Sequence, residues 1–387
     1  MKQKLIRITT VPISLKILLK GQHQFMSQFY KVLGVSSSGK DLNEVAVKEG
    51  IAVASIEMTR TIAPLKDLVS LWSFYRLCKK EQPFIVHSHT PKAGIIGMLG
   101  AKLAGVPHRL HTVAGMPLLE ATGFKRKLLN TVEKLTYSCA TKVYPNSKGL
   151  KAIIVKNNFT KEAKLKVLAN GSSNGIDTSY FKCEHFTTTQ NEQLKTQLGI
   201  APNDFVFVFV GRLVGDKGIN ELVEAFSQLR MKNEELRITK LLLVGPFENE
   251  LDPLLPETLQ EISSNQHIIS VGWQQDVRPY FAISNVLVFP SYREGFPNVV
   301  LQAGAMGLPS IVTNINGCNE IIEEGKNGWI IPVKNAAAIQ IAMQQALQDN
   351  STYTYVKSNA RRLIQNRFEQ QVVWEALLEE YQLLEKG

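Results

Sequence analysis

The chain has 387 residues, 44% hydrophobic and 20% charged, with 44 Lys+Arg against 34 Asp+Glu for a formal net charge of +10; that size predicts two or three soluble domains. The charge is uneven: residues up to Tyr180 carry a net +17 and the remainder a net −7, so an anionic partner such as nucleic acid, membrane or phosphate is weighed against a merely solvated lysine-rich surface. The scattered Cys78, Cys139, Cys183 and Cys318 form no Cys-x-x-Cys pair, which disfavours a zinc or disulfide framework and fits a reducing cytosol; Arg7 and Lys16 interrupt any signal-peptide core, and Lys102, His108 and Arg109 break the longest apolar stretch, so no spanning helix is expected.

In chain order, Leu5–Thr10, Lys31–Val35, Phe84–His87, Arg109–Thr112 and Lys142–Tyr144 read as strands. Between them, Leu65–Lys80, Pro91–Ala104, Lys125–Cys139 and Ser147–Asn157 read as helices. Strand–helix alternation predicts right-handed crossovers and a parallel sheet. Turn residues crowd Asn170–Gly175, and 181–203 is polar, which places a linker there. The rhythm then restarts. Phe205–Val210 is a continuous apolar run, as expected for a strand buried on both faces. It is followed by a helix at Ile219–Arg230, a strand at Lys240–Val244, a helix at Pro253–Ser263 and strands at His267–Val271 and Val286–Phe289. A helix from about Asn298 and a strand at Ser310–Thr313 complete the series. The reading is an α/β protein with domains at 1–180 and 204–365 and a C-terminal helix, 366–387, crossing back to the first.

Ligands in parallel sheets bind beyond the carboxyl ends of the strands. After Phe205–Val210 comes Gly211-Arg-Leu-Val-Gly-Asp-Lys-Gly218, in which Gly211 permits a tight turn and Asp216 is a candidate helix cap. Arg212 and Lys217 beside a helix N-terminus make a site for a phosphate or diphosphate, against the plainer reading of surface charges on a loop. The spacing is not that of a Walker A loop. After Val286–Phe289 comes Pro290-Ser-Tyr-Arg-Glu-Gly-Phe-Pro-Asn298. There Glu294 can accept hydrogen bonds from sugar hydroxyls, or simply favour the helix dipole. Gly295 allows close approach of a ligand to the backbone, and the amides of Phe296, Pro297's successor Asn298, Val299 and Val300 open toward the same anion. His87 and His89 share one sheet face, but without a carboxylate or cysteine partner they do not read as a metal pair.

Gly211-Arg-Leu with Lys217-Gly218, Glu294-Gly-Phe-Pro-Asn298 and Gly304-Ala-Met-Gly-Leu-Pro309 resemble the C-terminal domain of family 4 (group 1) retaining glycosyltransferases, over about 110 residues. The likeness extends through Phe84–Gly94, Arg109–Gly115, Pro145-Asn-Ser147 and Asn174-Gly-Ile-Asp177, and is nearest to the branch that builds bacterial surface polysaccharides. It implies the GT-B architecture, two Rossmann-like parallel-sheet domains facing across a cleft. It further implies that Arg212 and Lys217 bind the donor diphosphate, that Glu294 holds the transferred sugar, and that His111 lies near the reacting sugar and acceptor, against a structural role for that histidine. Gly211, Gly295, Phe296, Pro297, Asn298 and Val299 would line the donor site. Gln302 stands where the family pattern usually has a ribose-binding glutamate, and Thr9-Thr-Val-Pro-Ile-Ser14 lacks the usual glycine pair.

The chain contains no Asp-x-Asp, so a nucleotide-sugar donor (UDP by the resemblance) is expected to bind without a metal or other cofactor. No acid–nucleophile carboxylate pair of the glycosidase kind emerges. The expected acceptor is a saccharide or a polyprenyl-linked one. Leu68, Leu71, Trp72, Phe74 and Tyr75 with Lys66, Arg76, Lys79 and Lys80, and the stretch Gly123–Leu129, read either as core-facing helices or as a surface for anionic lipid. The expected place is therefore the cytoplasm, with a peripheral position at the inner face of the membrane as the finer reading. No zinc-finger or RNP pattern supports nucleic acid. A UDP-sugar epimerase of the same architecture and a catalytically weak nucleotide-binding protein are the alternatives.

Overall fold

The computed structural model describes residues 2–59, 61–116, 118, 121–232, 239–248, 250 and 252–386. The chain divides into two compact units, Met1–Gly175 together with Gln370–Gly387, and Ile176–Glu369.

The first unit runs β1 (Lys4–Ile8), α1 (Pro12–Leu18), α2 (Gln22–Ser27), β2 (Lys31–Ser36), α3 (Lys40–Glu49), β3 (Ala52–Ser55), α4 (Pro64–Glu81), β4 (Ile85–Ser88), α5 (Pro91–Ala104), β5 (His108–Val113), α6 (Gly123–Cys139), β6 (Lys142–Pro145) and α7 (Lys148–Lys156). Its six strands form one parallel sheet in the order β3-β2-β1-β4-β5-β6. The sequence reading does not contain β3 or α1 to α3. The reason for β3 is physical: Ala52-Val-Ala-Ser55 is a short edge strand, half exposed and weakly apolar. Helix α5 packs close because it lacks side chains on one stripe. A Cβ at Gly94 would lie 2.6 Å from the His111 ring, and one at Gly100 would lie 2.9 Å from Phe74.

The second unit runs α8 (Thr188–Gln197), β7 (Phe205–Val210), α9 (Ile219–Lys232), β8 (Thr239–Val244), α10 (Pro256–Ser264), β9 (Ile268–Ser270), α11 (Arg278–Ala282), β10 (Val286–Phe289), α12 (Asn298–Ala305), β11 (Ser310–Thr313), α13 (Cys318–Ile321), β12 (Gly328–Ile331), α14 (Ala336–Gln348) and α15 (Asn350–Phe368). Its six-stranded parallel sheet has the order β12-β11-β10-β7-β8-β9. Val206 to Phe209 are wholly buried at the centre of this sheet. Residues 181–203, read as a linker, lie inside this unit. They hold α8, whose start carries a reciprocal capping box between Thr187 and Gln190. The last helix, α16 (Gln370–Lys386), belongs to the first unit, and Phe368 stays buried in the second.

A chain of buried polar contacts ties α16 into the first unit. Arg7, on β1, is fully buried and donates to Gln22 on α2. Gln22 donates to Asn174 Oδ1 at 3.1 Å, which also accepts from the Trp374 indole at 2.7 Å. His87 meets the Tyr381 hydroxyl at 2.6 Å.

His23, His87, His89 and His111 are all buried in this unit. Loss of solvation pushes the first three well below the ordinary histidine value, with Arg7 adding repulsion, and lowers His111 to about 4. The unfolded chain takes up protons below pH ~6.5 that the folded one refuses. Stability should therefore fall on acidification, by about 1.4 kcal/mol per pH unit for each such histidine, a window that for His111 closes near pH 4. Calorimetry from pH 7.5 to 5 should show the first unit's transition moving down steeply below pH ~6.5, ahead of the second unit's.

Candidate active site

The carboxyl edge of the second sheet is drawn together by backbone contact. Gly211 turns the chain off β7 with φ +153°, and its amide donates to Val244 O at 2.9 Å. A Cβ at Gly245, beyond β8, would lie 1.8 Å from Gly211 O, so no side chain fits between these strand ends. Gly218, with φ +72°, sits against the Pro290 carbonyl, where a Cβ would come within 2.3 Å. The turn after β7 is thus pressed onto the end of β10.

This brings Lys217 and Glu294 together. Lys217 Nζ lies 2.5 Å from Glu294 Oε1, and the two side chains are only 14% and 19% exposed. Ser291, completely buried at the end of β10, donates to the same carboxylate oxygen at 3.0 Å. Asn316, in the loop after β11, donates its side-chain amide to the Glu294 carbonyl. Arg212 points to a different acid: its Nη1 is 2.9 Å from Glu248 Oε2, in the loop after β8. That hydrogen bond raises the Arg212 pKa, and the fields of Asp216 and Glu294 add to it. Asp216 does not cap α9. Its carboxylate takes Arg293 at 2.6 Å, its amide donates to Asp252 at 2.5 Å, and Gly218 occupies the position before the helix.

Helix α12 begins after Pro297 with no side-chain cap, so its first amides, at Asn298 and Val299, remain open. Gly295 and Phe296 sit under Gly317, where a Cβ would lie 2.6 Å from Gly295 O. The Phe296 ring itself is core, 5.5 Å from Phe368, so only its backbone is available to a ligand. Gln302, half-buried in α12, makes no side-chain hydrogen bond among the described residues.

His111 belongs to the first unit. It lies within β5 and not after it, and is 3% exposed. Its Nδ1 is 2.8 Å from Ser88 Oγ and its ring packs on Tyr137. Burial keeps it neutral at neutral pH. The loop Thr9–Val11 is held by Thr90, whose hydroxyl pairs with the Thr10 hydroxyl at 2.7 Å and accepts the Thr10 amide at 2.9 Å.

The sequence motifs assign no role to Glu248, Ser291 or Asn316. Each lies just past a strand, so the rule applied to β7 and β10 also points to them once β8 and β11 are scanned. Among the described residues, no group of three or more His, Cys, Asp or Glu is placed to hold a metal ion.

Residues 190–363 match the family described as Glycosyl transferases group 1, and residues 29–171 match Glycosyl transferase 4-like domain. The chain is 35% identical to a Staphylococcus aureus capsular polysaccharide biosynthesis glycosyltransferase, CapM, across 97% of its own length and 96% of that protein. The chain is a group 1 glycosyltransferase. It is also 30% identical, over 95% of both chains, to an Escherichia coli UDP-Gal:α-D-GlcNAc-diphosphoundecaprenol α-1,3-galactosyltransferase. The fold of this glycosyltransferase matches Anabaena Alr3699/HepE, crystallised with UDP, with a TM-score of 0.81 at 18% identity, covering 99% of this chain and all of that one. A Rickettsia africae glycosyltransferase gives 0.81 at 20% identity, over 100% of this chain and 99% of that one. Both units are therefore the Rossmann-like halves of a GT-B enzyme.

A double-mutant cycle tests the central ion pair. Lys217→Met alone leaves the shielded Glu294 uncompensated and should destabilise the second unit by about 1–3 kcal/mol. Adding Glu294→Gln should recover part of that, giving a coupling of about 1 kcal/mol by urea denaturation. Strict additivity would show that the pair does not hold the two loops.

Proposed function

We propose that this glycosyltransferase moves a sugar from a UDP-sugar to a lipid-linked saccharide in the assembly of a surface polysaccharide, with retention at the anomeric carbon. The observation that carries the reading is the meeting of Arg212, Lys217, Glu294 and the open N-terminus of α12 at one sheet edge. Two cations and unbonded helix amides suit a leaving diphosphate, and they need no metal to neutralise it. A carboxylate anchored by Ser291 beside them suits sugar hydroxyls. Both cations are held by carboxylates, Glu248 and Glu294, and exchange these for phosphate oxygens when donor binds. The Escherichia coli relative's named substrates, UDP-Gal and a diphosphoundecaprenol acceptor, support the substrate classes.

In the reaction, the acceptor hydroxyl attacks the anomeric carbon from the face the diphosphate leaves. The carbon–oxygen bond to phosphate breaks, its electron pair stays on the phosphate oxygen, and that oxygen takes the acceptor's proton. His111 serves as a positioning residue: Ser88 on the neighbouring strand β4 fixes its ring, against which Gly94 of α5 packs. No described helix is long and apolar enough to cross a membrane. Leu65, Trp72 and Phe124 are 81%, 61% and 81% exposed next to Lys66, Lys125, Arg126 and Lys127, which suits a peripheral site on anionic lipid.

Incubation with UDP-sugars and lipid-linked acceptors, read by mass spectrometry and NMR, should give a product with the donor's anomeric configuration, undiminished by EDTA. Arg212→Ala should lower kcat/KM by about 10²–10³. An inverted linkage, or an Arg212→Ala enzyme of full activity, would overturn the reading. Gln302 offers a second check. A carboxylate there makes a charge-assisted bond to the ribose hydroxyls that a neutral amide cannot, so Gln302→Glu should tighten UDP binding by roughly tenfold in calorimetric titration.

A further inference from the structure

The first unit holds a cavity of about 740 Å³ that the donor chemistry does not use. It opens between α4, α5 and α6. Its walls are Leu71 on α4, Ile96 and Leu99 on α5, and Leu128, Leu129 and Val132 on α6. These side chains are aliphatic, and a soluble protein ordinarily fills such a space with its own core. The cavity is also two-ended. At the end formed by the β1 and β4 loops it is lined by Thr10, Thr90, Lys92 and Asp67. Lys92 pairs with Asp67 at 2.5 Å, and the second Asp67 oxygen is buried with no hydrogen-bond partner among the described residues. This end lies past the carboxyl ends of the strands, where substrates of parallel sheets bind. At the mouth, Ile62 and Leu68 both line the cavity and stand 58% and 61% exposed.

We infer that this cavity takes the proximal hydrocarbon chain of the acceptor lipid, with the acceptor's phosphate at the Lys92 end. The inference rests on the proposed lipid-linked acceptor and adds where its chain goes. Three observations fix the occupant's chemistry. Beyond Lys92 at the start of α5, the cavity-lining residues of α5 and α6 are apolar except Glu133, whose carboxyl is pushed up by burial. The polar end offers the Thr10 and Thr90 hydroxyls and Lys92, which would exchange its Asp67 partner for an acceptor phosphate; these complement phosphate and not a second apolar group. The helices that carry the lining Leu68 and Leu128 also expose Leu65 and Trp72 on α4 and Phe124 on α6, next in sequence to Lys66, Lys125, Arg126 and Lys127, which matches an anionic amphiphile drawn partly out of a bilayer. A headgroup lying flat on the surface would need these exposed groups but not the cavity.

The test is calorimetric titration of the full chain with geranyl, farnesyl and geranylgeranyl diphosphates below their micelle concentrations, with inorganic pyrophosphate as the headgroup control. Each methylene taken from water favours binding by up to about fourfold, so affinity should rise at least tenfold per added isoprene unit until the cavity is full. Leu99→Trp, which fills the cavity, should weaken farnesyl diphosphate at least tenfold and leave pyrophosphate unchanged. Leu128→Trp, at the more exposed wall, should act in the same way and guards against a folding defect at Leu99. Affinity independent of chain length overturns the inference, as does chain-length dependence that survives both substitutions or responds only to the surface change Phe124→Ser. UDP binding is measured in parallel on every variant. Wild-type protein that binds no UDP counts against the proposed function, whereas intact UDP binding without chain discrimination counts against the cavity alone.

Discussion

Burial of β7 on both faces governs the second unit. Val206 to Phe209 are completely enclosed, and the strand pairs with β8 along Phe205–Val210 and with β10 on its other side. Such a strand cannot slip: a one-residue shift would exchange the side chains on its two packed faces and break both ladders at once. The end of the strand is thereby fixed, and polar residues begin where burial ends, at Gly211-Arg212. Because every strand in the sheet is parallel, the loops after β7, β8, β10 and β11 all leave from the same edge. Charge collects there as a consequence of topology.

What gathers at that edge is a set of opposed charges, one pair shielded and one half exposed. Lys217 and Glu294 shield each other, while Arg212 leans on Glu248. In a partly desolvated setting such pairs are stiff, and the supporting bonds from Ser291 and Asn316 stiffen them further. Under the proposed function, a phosphate entering the site would meet cations already in place, with little reorganisation left for the moment when the sugar–phosphate bond breaks. The acidic balance of residues beyond Tyr180 does not oppose this, since local pairing and helix amides outweigh a distributed net charge at contact range.

The first unit follows a different plan. Its interior spends polar groups on holding α16, through Arg7, Gln22, Asn174 and Trp374, and through His87 with Tyr381. Its surface leaves apolar side chains in water on α4 and α6. The excess of lysine and arginine in the residues up to Tyr180 falls in this unit, as do those apolar groups.

Motif and periodicity carried much of this. Gly211 and Gly218 were legible because close backbone approach admits only glycine, and the meeting of Lys217 with Glu294 because both follow strands of one parallel sheet. The central strands were legible because double burial writes an apolar run. The edge strand β3 was not, since half-exposed Ala52-Val-Ala-Ser55 has no such signature. Nor were the partners Glu248 and Asn316, which reach the site across separations that no local pattern encodes. His111 stood in a recognisable motif, yet the packing of β5 against Gly94 set it in the interior. The sequence by itself thus determined the fold class and the family, because these rest on residue type and short spacing. Which carboxylate each cation meets, which apolar side chains the core leaves in water, and the cavity between α4, α5 and α6 were decided only in three dimensions, where close packing brings distant segments within ångströms of each other.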